Sequence, residues 1–232
     1  MGTRTSIGSG SMARPPGTPH RDYDRKRAEL LGKLSVRLLA PGPAPSLRQL
    51  ATAAGVTIPT LRHYFGTRED VVRAVFESWH AEGAAELVRL SLPDGPLAQS
   101  VRRAVAHTLT GLTRSPLGRM MAVGLAEGFI EPGAATSFLR HLLEPSLQAL
   151  ERRLEAHAER GELRGIEPRA GALVLLSPLI LAAHHQEHLG GRKMRPLDLD
   201  GLGNAVTDGF LRAYATDPPR RPSGSRPARS RR

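Results

Sequence analysis

The stretch that decides the fold is SLRQLATAAGVTIPTLRHYFGTRED, residues 46–70. Ser46 is followed three residues later by Gln49, a capping-box spacing that predicts the start of a helix. Gly55 is the predicted end of that helix, because glycine readily adopts the left-handed conformation of a helix terminus. Between them, apolar residues recur at helical spacing and predict one buried face: Leu47, Leu50, Ala51 and Ala54.

A second short helix is predicted directly after this turn. Thr57 is a suitable N-cap, and Pro59 falls in the first turn, where a missing N–H costs little. Leu61, Tyr64 and Phe65 are expected to anchor the helix to the core.

A third helix is predicted to begin after Gly66, with Thr67 and Asp70 as its caps. Two short helices joined by a tight glycine turn make a helix-turn-helix, a motif that places its second helix in a DNA groove. The segment therefore predicts a DNA-binding module.

Composition limits what the rest of the chain can be. The chain has 232 residues, no cysteine and a formal net charge of +11, so disulfides and thiolate metal sites are excluded and a polyanionic partner is favoured. No apolar run reaches the roughly 18 residues of a membrane span, and the most apolar segment, 170–183, contains Pro178. We expect a cytoplasmic protein without a membrane partner.

Hydrophobic periodicity predicts helices throughout and no sheet. The predicted helices cover about 22–40, 67–90, 97–112, 115–129, 134–160, 168–190 and 202–215, with a kink near Pro145. The apolar face of the first helix is predicted to consist of Ala28, Leu31, Leu34 or Ser35, Leu38 and Leu39.

This pattern divides the chain into four parts. Residues 1–20 are expected to form a disordered tail, 21–80 a three-helix DNA-binding domain, and 81–216 a helical ligand-binding and dimerisation domain. Residues 217–232 carry six arginines against one aspartate and are expected to form a disordered basic tail.

The helix-turn-helix segment resembles the DNA-binding region of the TetR family of bacterial transcriptional regulators. The residues that carry the resemblance are Leu50-Ala51, Ala54-Gly55-Val56-Thr57, Thr60-Leu61, His63-Tyr64-Phe65 and Arg68-Glu69-Asp70. The resemblance covers roughly residues 24–80. It implies an all-α repressor with an N-terminal helix-turn-helix domain and a C-terminal helical regulatory domain.

Two sets of DNA contacts follow. General helix-turn-helix geometry places the second short helix in the major groove, so its exposed residues are the expected base readers: Thr57, Ile58, Pro59, Thr60, Arg62 and His63. Arg62 is the foremost candidate, because arginine pairs bidentately with guanine. The resemblance further implies phosphate contacts from Arg48, His63, Tyr64, Thr67 and Arg68.

The family resemblance also implies a pocket for a small-molecule effector, mostly apolar with few polar groups. The candidate lining residues are Trp79, Met120, Met121, Leu125, Phe129, Phe138, Leu142 and His184. A two-fold homodimer reading a palindromic double-stranded operator is expected, since one half-site gives little specificity. The last two long helices are the expected interface.

Two other functions remain open from the residues alone. His184, His185 and His188, with Glu187, resemble a nitrogen–oxygen metal site of an enzyme, although their order is not HExxH. The arginine-rich tail is compatible with a non-specific nucleic-acid-binding protein. No Walker loop, nucleophile elbow or GxGxxG is present, so neither catalysis nor a cofactor is expected.

Overall fold

The structure, a computed structural model, describes residues 18–216, and the regular secondary structure of that range is helical. The two predicted tails therefore lie almost wholly outside the described residues. Helices of the N-terminal part are α1 (Thr18–Leu39), α2 (Leu47–Ala54), α3 (Ile58–Phe65) and α4 (Arg68–Ser91). Those of the C-terminal part are α5 (Leu97–Arg114), α6 (Leu117–Ile130), α7 (Pro132–Phe138), α8 (Glu144–Glu159), α9 (Pro168–Ala183), α10 (Gly191–Met194) and α11 (Leu199–Tyr214).

The predicted start and end of α2 are confirmed. The Ser46 hydroxyl accepts the N–H of Gln49 at 3.3 Å, and the Gln49 side chain accepts the N–H of Ser46 at 2.8 Å. Gly55 ends the helix with φ 72° and ψ 33°. The left-handed residue turns the chain sharply, which places α3 across α2.

The junction between α3 and α4 requires a glycine. Gly66 has φ 94°, and a Cβ at this position would lie 2.6 Å from Oδ2 of Asp70. That carboxylate oxygen accepts the backbone N–H of Thr67 at 2.9 Å and the Thr67 hydroxyl at 2.7 Å, which closes the predicted capping box of α4. The reading helix is thus joined to the longest helix of the described chain by a turn with little freedom.

The predicted buried face of α1 is confirmed in part. Leu30, Leu34 and Leu38 form the buried face, whereas Ala28 is exposed. Leu34 and Leu38 are buried as predicted, and Leu31 and Leu39 are half-buried against the core, so the prediction missed only Leu30 and wrongly included Ala28.

A buried arginine organises the second domain. Arg153 of α8 donates to the carbonyl oxygen of Leu90 at 2.7 Å, to Oδ1 of Asp94 at 2.8 Å and to Oγ of Ser100 at 2.7 Å. It thereby satisfies a carbonyl at the end of α4 that has no partner within the helix. Around it, α8 packs against α4 and α9, and α5 packs against α9 and α11.

Proline explains the distortion between α7 and α8. Pro145 has no N–H to offer to the carbonyl of His141, and residues Leu139–Leu143 form a π-helical turn. A ring nitrogen of His80 on α4 lies 3.1 Å from that carbonyl oxygen. The predicted kink near Pro145 is therefore confirmed, and α4 contacts the distorted turn directly.

The helix that begins at Pro168 ends close to the predicted position at Gly190-Gly191. A second π-helical turn, His184–His188, continues the helix, and the short helix α10 follows where the sequence pattern predicted none. Residues 18–216 contain no helix with the length and apolarity required to cross a membrane.

Candidate DNA-binding surface and its link to the second domain

Helix α3 presents the predicted base readers on its outer side. Leu61 and Phe65 are buried, so the opposite side of the helix faces outward. Of the six candidates, Thr57, Pro59, Arg62 and His63 are exposed, while Ile58 and Thr60 are half-buried. The surface offers a guanidinium, an imidazole, hydroxyls and methyl groups, the chemistry needed to read base edges in the major groove.

The N-terminal end of α3 is held rigid by its own cap. The Thr57 hydroxyl accepts the N–H of Thr60 at 3.3 Å, and the two threonine hydroxyls lie 2.8 Å apart. These bonds orient both side chains before any ligand arrives.

Four of the five predicted phosphate contacts lie at the surface. Arg48, His63 and Thr67 are exposed, and Tyr64 is half-buried. The Thr67 hydroxyl is already bonded to Asp70, so a phosphate would meet mainly the exposed N-terminal end of α4.

Arg68 is placed differently. Its guanidinium forms a bidentate pair with Glu127 of α6, at 2.9 and 2.7 Å, and its Nε donates to the carbonyl oxygen of Pro45 at 2.8 Å. We therefore do not count the Arg68 side chain among the free phosphate-binding cations. Glu127 is only 2% exposed, so this pair joins the start of α4 to the interior of the second domain.

A second polar link lies at the other end of α6. Arg119 donates to the carbonyl oxygens of Leu39 at 3.1 Å and Ala40 at 2.9 Å, at the end of α1. Helix α6 therefore contacts the DNA-binding domain through both a carboxylate and a guanidinium. Sequence reasoning missed both links, although Glu127 was visible as a lone acid in the apolar segment LGRMMAVGLAEGFI.

The eight predicted pocket residues do not share one environment. Trp79, Met121, Phe138, Leu142 and His184 are buried, and Met120 and Leu125 are half-buried. Phe129 is 86% exposed, so the expectation that it lines an interior pocket does not match its place at the end of α6. The Trp79 indole N–H donates to Ser35 of α1 at 2.7 Å and serves the contact between α1 and α4.

None of these eight residues lines either of two clefts in the described chain. One cleft, of about 650 Å³, lies between α5 and residues 186–200. The other, of about 310 Å³, lies beside Arg89, Arg103 and Arg153. Within the predicted pocket region, the Phe138 ring lies directly against α6 at Gly124, where a Cβ would leave it no room.

The side chains of the histidine cluster contact different partners and do not point to a common site. His184 and His188 lie with ring centres 5.4 Å apart, whereas His185 contacts the Gln186 amide and Glu187 pairs with Arg192. Burial lowers the pKa of His184 and His188, and neighbouring positive charge adds to the effect at each. Within residues 18–216, no group of three or more histidine or acidic side chains is arranged to hold a metal ion.

Three ring nitrogens of this pair are buried without a hydrogen-bond partner: both of His184 and Nε2 of His188. Unpartnered buried polar atoms are uncommon and call for an explanation. Because both rings are disposed to be neutral, each can donate one hydrogen bond and accept another.

An exposed reading helix, set in a helix-turn-helix and bonded to a larger helical domain, defines a DNA-binding transcriptional regulator. Residues 99–216, just over half of the chain, match the family model described as the C-terminal domain of AefR-like transcriptional repressors. The chain belongs to the TetR family of transcriptional regulators. No match was found among curated proteins.

Solved structures show the same fold. SmeT, the repressor of the Stenotrophomonas maltophilia multidrug efflux pump SmeDEF, is 23% identical, with a TM-score of 0.60 over 84% of this chain and 93% of that one. A complex of SmeT with triclosan aligns over 83% of this chain and 93% of that one, with 22% identity and a TM-score of 0.60. A TetR transcription regulator from Haloarcula marismortui is 12% identical, with a TM-score of 0.61 over 83% of this chain and all of that one.

Proposed function

We propose that the protein is a sequence-specific repressor that binds a palindromic operator as a homodimer and leaves it when a small apolar effector binds. The observation that carries this proposal is the Arg68–Glu127 pair, which joins the helix after the reading helix to α6. DNA recognition and effector binding are thereby given a common structural element.

Two copies are needed for operator recognition. Half-sites of helix-turn-helix dimers lie roughly 34–36 Å apart, one turn of DNA. Helix α9 offers a surface for pairing, because Leu173, Val174 and Leu181 are exposed although the segment is almost wholly apolar. Together with α11 it would form a four-helix interface between subunits.

The effector site is proposed among the buried residues of α6, the α7–α8 region and the end of α9. Met121, Phe138 and Leu142 supply apolar surface, and His184 supplies unpartnered ring nitrogens. The SmeT–triclosan complex supports a small-molecule ligand in a protein of the same fold. Because the Phe138 ring already lies directly against Gly124 of α6, an effector bound here would select a state in which α6 has moved.

Movement of α6 carries Glu127 with it. Arg68 would then separate from its partner or follow it, and α4 and α3 would be displaced together because the turn at Gly66 is rigid. A displaced reading helix no longer matches the base edges of its half-site, and each mismatched base pair costs about 1–3 kcal/mol. A modest preference of the effector for the displaced state is therefore enough to empty the operator.

The test is fluorescence anisotropy on DNA flanking the protein's own gene and on scrambled DNA, at two salt concentrations. A variant lacking residues 217–232 is measured alongside, because that segment carries a formal charge of +5. Selective binding that survives removal of the tail supports the repressor. Equal binding to both DNAs that disappears with salt and with the tail would instead indicate non-specific phosphate attraction.

A further inference from the structure

Three aromatic rings from two helices meet at the C-terminal end of the reading helix. The ring of Tyr23 on α1 stacks on Tyr64 with centres 4.8 Å apart and planes at 26°. It also meets the His63 ring edge-on, at 5.8 Å and 86°. His63 and Tyr64 contact each other at 5.3 Å and 79°, which closes the aromatic cluster Tyr23–His63–Tyr64.

Core packing accounts for only part of this cluster: Tyr64 packs against the hydrophobic core, whereas Tyr23 and His63 are not among the residues that do so. His63 is exposed, and Tyr23 and Tyr64 are only half-buried, whereas the neighbouring Phe65 is buried. Phe65 is covered by the guanidinium of Arg27, which lies 5.0 Å from the ring centre. The aromatic cluster therefore lies largely at the surface, next to the Arg27 guanidinium that covers Phe65.

Two cations of α1 share the helix face of Tyr23, because Lys26 and Arg27 lie three and four residues after it, while Asp22 and Asp24 adjoin it in sequence. Arg62 on α3 and Arg21 and Arg25 on α1 are exposed. Arg25 pairs with Asp22, but the side chains are 82% and 64% exposed, and such a surface pair holds the arginine only weakly. Cations outnumber the two aspartates in this part of the chain, and this excess favours an anion beside the cluster.

We propose that Tyr23 is a contact and positioning residue of the DNA-binding surface, an assignment that rests on the proposed function. Its ring fixes the orientation of His63 and Tyr64. Its hydroxyl donates a hydrogen bond to a DNA phosphate beside the one bound by Tyr64. Tyrosine hydroxyls are regular phosphate partners, and such contacts set the register of a protein on DNA without reading its sequence.

Substitutions at residue 23 distinguish the positioning role of the tyrosine ring from the phosphate contact of its hydroxyl. Tyr23→Phe keeps the ring stack and removes only the hydroxyl, so it weakens binding to operator and to scrambled DNA by the same factor, about 10- to 100-fold for one hydrogen bond to a charged phosphate. The slope of affinity against salt stays unchanged, because a neutral hydroxyl releases no counterion. Tyr23→Ala also frees His63 and Tyr64, and therefore weakens binding further.

Coupling between the two tyrosines tests the positioning role. Tyr23→Ala and Tyr64→Ala combined are expected to lose less affinity than the product of the single losses, because each removes the same stack. When Tyr23→Phe and Tyr64→Phe are combined, the two fold-losses of affinity should multiply. Tyr214→Phe is the matched control, since the third tyrosine of the chain lies on α11 against Phe210, at 5.1 Å, and should bind both DNAs as the wild type does.

The experiment is an anisotropy titration of the full-length variants on both DNAs, with thermal unfolding to verify equal folding. A common loss of affinity for Tyr23→Phe supports the assignment. Wild-type affinity of Tyr23→Phe, or a loss on operator DNA alone, overturns it. If the wild type shows no selectivity at all, the proposed function fails, yet the scrambled-DNA comparison still decides the phosphate contact.

Discussion

Two exposed arginines on neighbouring helices are expected to act on different parts of DNA. Arg62 lies on the outer side of α3, and Arg48 lies on α2, the helix that crosses the backbone in this motif. Arg62→Ala should weaken operator binding by about 1–3 kcal/mol and leave scrambled DNA nearly unaffected. Arg48→Ala should weaken both DNAs equally and reduce the salt slope by about 1. Salt-dependent anisotropy measures both, and an equal loss on both DNAs for Arg62→Ala would contradict its role as a base reader.

The Arg68–Glu127 pair predicts an asymmetry in stability. Arg68 is 26% exposed and can reach water when it loses its partner, whereas the Glu127 side chain is 3% exposed and cannot. Arg68→Leu should therefore destabilise the protein by about 3–5 kcal/mol, because it leaves a buried charge unpaired. Glu127→Gln should cost less, about 1.5–3 kcal/mol, the range of a hydrogen bond to a charged group.

Urea denaturation of the two variants checks the asymmetry. Arg102→Leu is the matched control, because Arg102 pairs with Asp208 at 3.0 Å while both side chains are 49% exposed, and such a pair contributes about 0–1 kcal/mol. Equal costs for Arg68→Leu and Glu127→Gln would show that the carboxylate is not confined to the interior.

The buried histidine pair predicts that stability falls on acidification. The pKa values of His184 and His188 lie below the usual 6.5 because of burial. As the pH is lowered, these histidines therefore become protonated at a lower pH in the folded protein than in the unfolded chain. The unfolded state holds more protons in that interval, so stability is complete above about pH 6.5 and decreases as the pH falls toward the folded pKa values.

Thermal unfolding at pH 8 and pH 5.5 measures this loss, and about 1 kcal/mol appears as 2–4 °C in a chain of this size. His184→Leu should reduce the drop in melting temperature, because it removes a titrating ring whose nitrogens are unpartnered. His188, which the variant retains, and His107 and His141, whose pKa values are also lowered by burial, should account for the drop that remains. An unchanged drop in the variant would exclude His184 as its source.

At the scale of secondary-structure elements, the caps determine how α3 meets α4. Asp70 closes the cap of α4, and its pKa is lowered to about 2 chiefly by the hydrogen bond from Arg73, with the bonds from Thr67 adding to it. Asp70→Ala should cost about 1 kcal/mol at pH 7, the usual contribution of a helix cap.

The acid dependence of this cost identifies the carboxylate. Its contribution is present above about pH 4 and is lost as the pH falls through about 2, so the difference between variant and wild type should shrink by pH 3. Urea denaturation at the two pH values measures it. Asp208→Ala is the control, because its exposed pairing with Arg102 predicts a change within about 0.5 kcal/mol. If the stability difference between Asp70→Ala and the wild type is as large at pH 3 as at pH 7, it arises from packing rather than from the carboxylate charge.

Elements whose ends depend on local chemistry could be predicted from the sequence. The caps at Ser46 and Thr67, the turn at Gly55 and the distortion before Pro145 each follow from a few adjacent residues. The buried face of α1, by contrast, is chosen by the α2 and α4 surfaces on which it packs, and periodicity alone puts Ala28 on the wrong side.

The candidate site likewise contains positions that local sequence predicts and positions that depend on residues distant in sequence. Positions on α3 were predictable because a short helix with two buried anchors has only one outer side. The roles of Arg68, Glu127 and Tyr23 were not, because each is defined by a residue distant in sequence: the Arg68–Glu127 pair spans 59 positions. The family motif predicted that residue 68 contacts phosphate, but no local pattern shows that a carboxylate on α6 occupies its guanidinium.

At the scale of the whole molecule, the distribution of apolar surface indicates how two copies meet. Leu173 and Leu181 on α9 are 53% and 69% exposed, and they lie eight residues apart, on one side of the helix. Helix α9 also packs on α5, α8 and α11, so the exposed side is rigidly presented. Such a surface would be costly to leave in water.

Charge introduced on this surface should separate the subunits. Leu173→Glu combined with Leu181→Glu places four carboxylates in the interface of a two-fold dimer, where unpaired charge is strongly unfavourable. Sedimentation equilibrium should give twice the 25.0 kDa chain mass for the wild type and a single chain for the variant. Operator affinity should fall while helical circular dichroism is retained, because each half-site loses its tethered neighbour.

Val88→Glu is the matched control: Val88 is 57% exposed on α4, outside the proposed interface, and this variant should stay dimeric. A double variant that remains dimeric and binds the operator normally would place the interface elsewhere and remove α9 from the recognition mechanism.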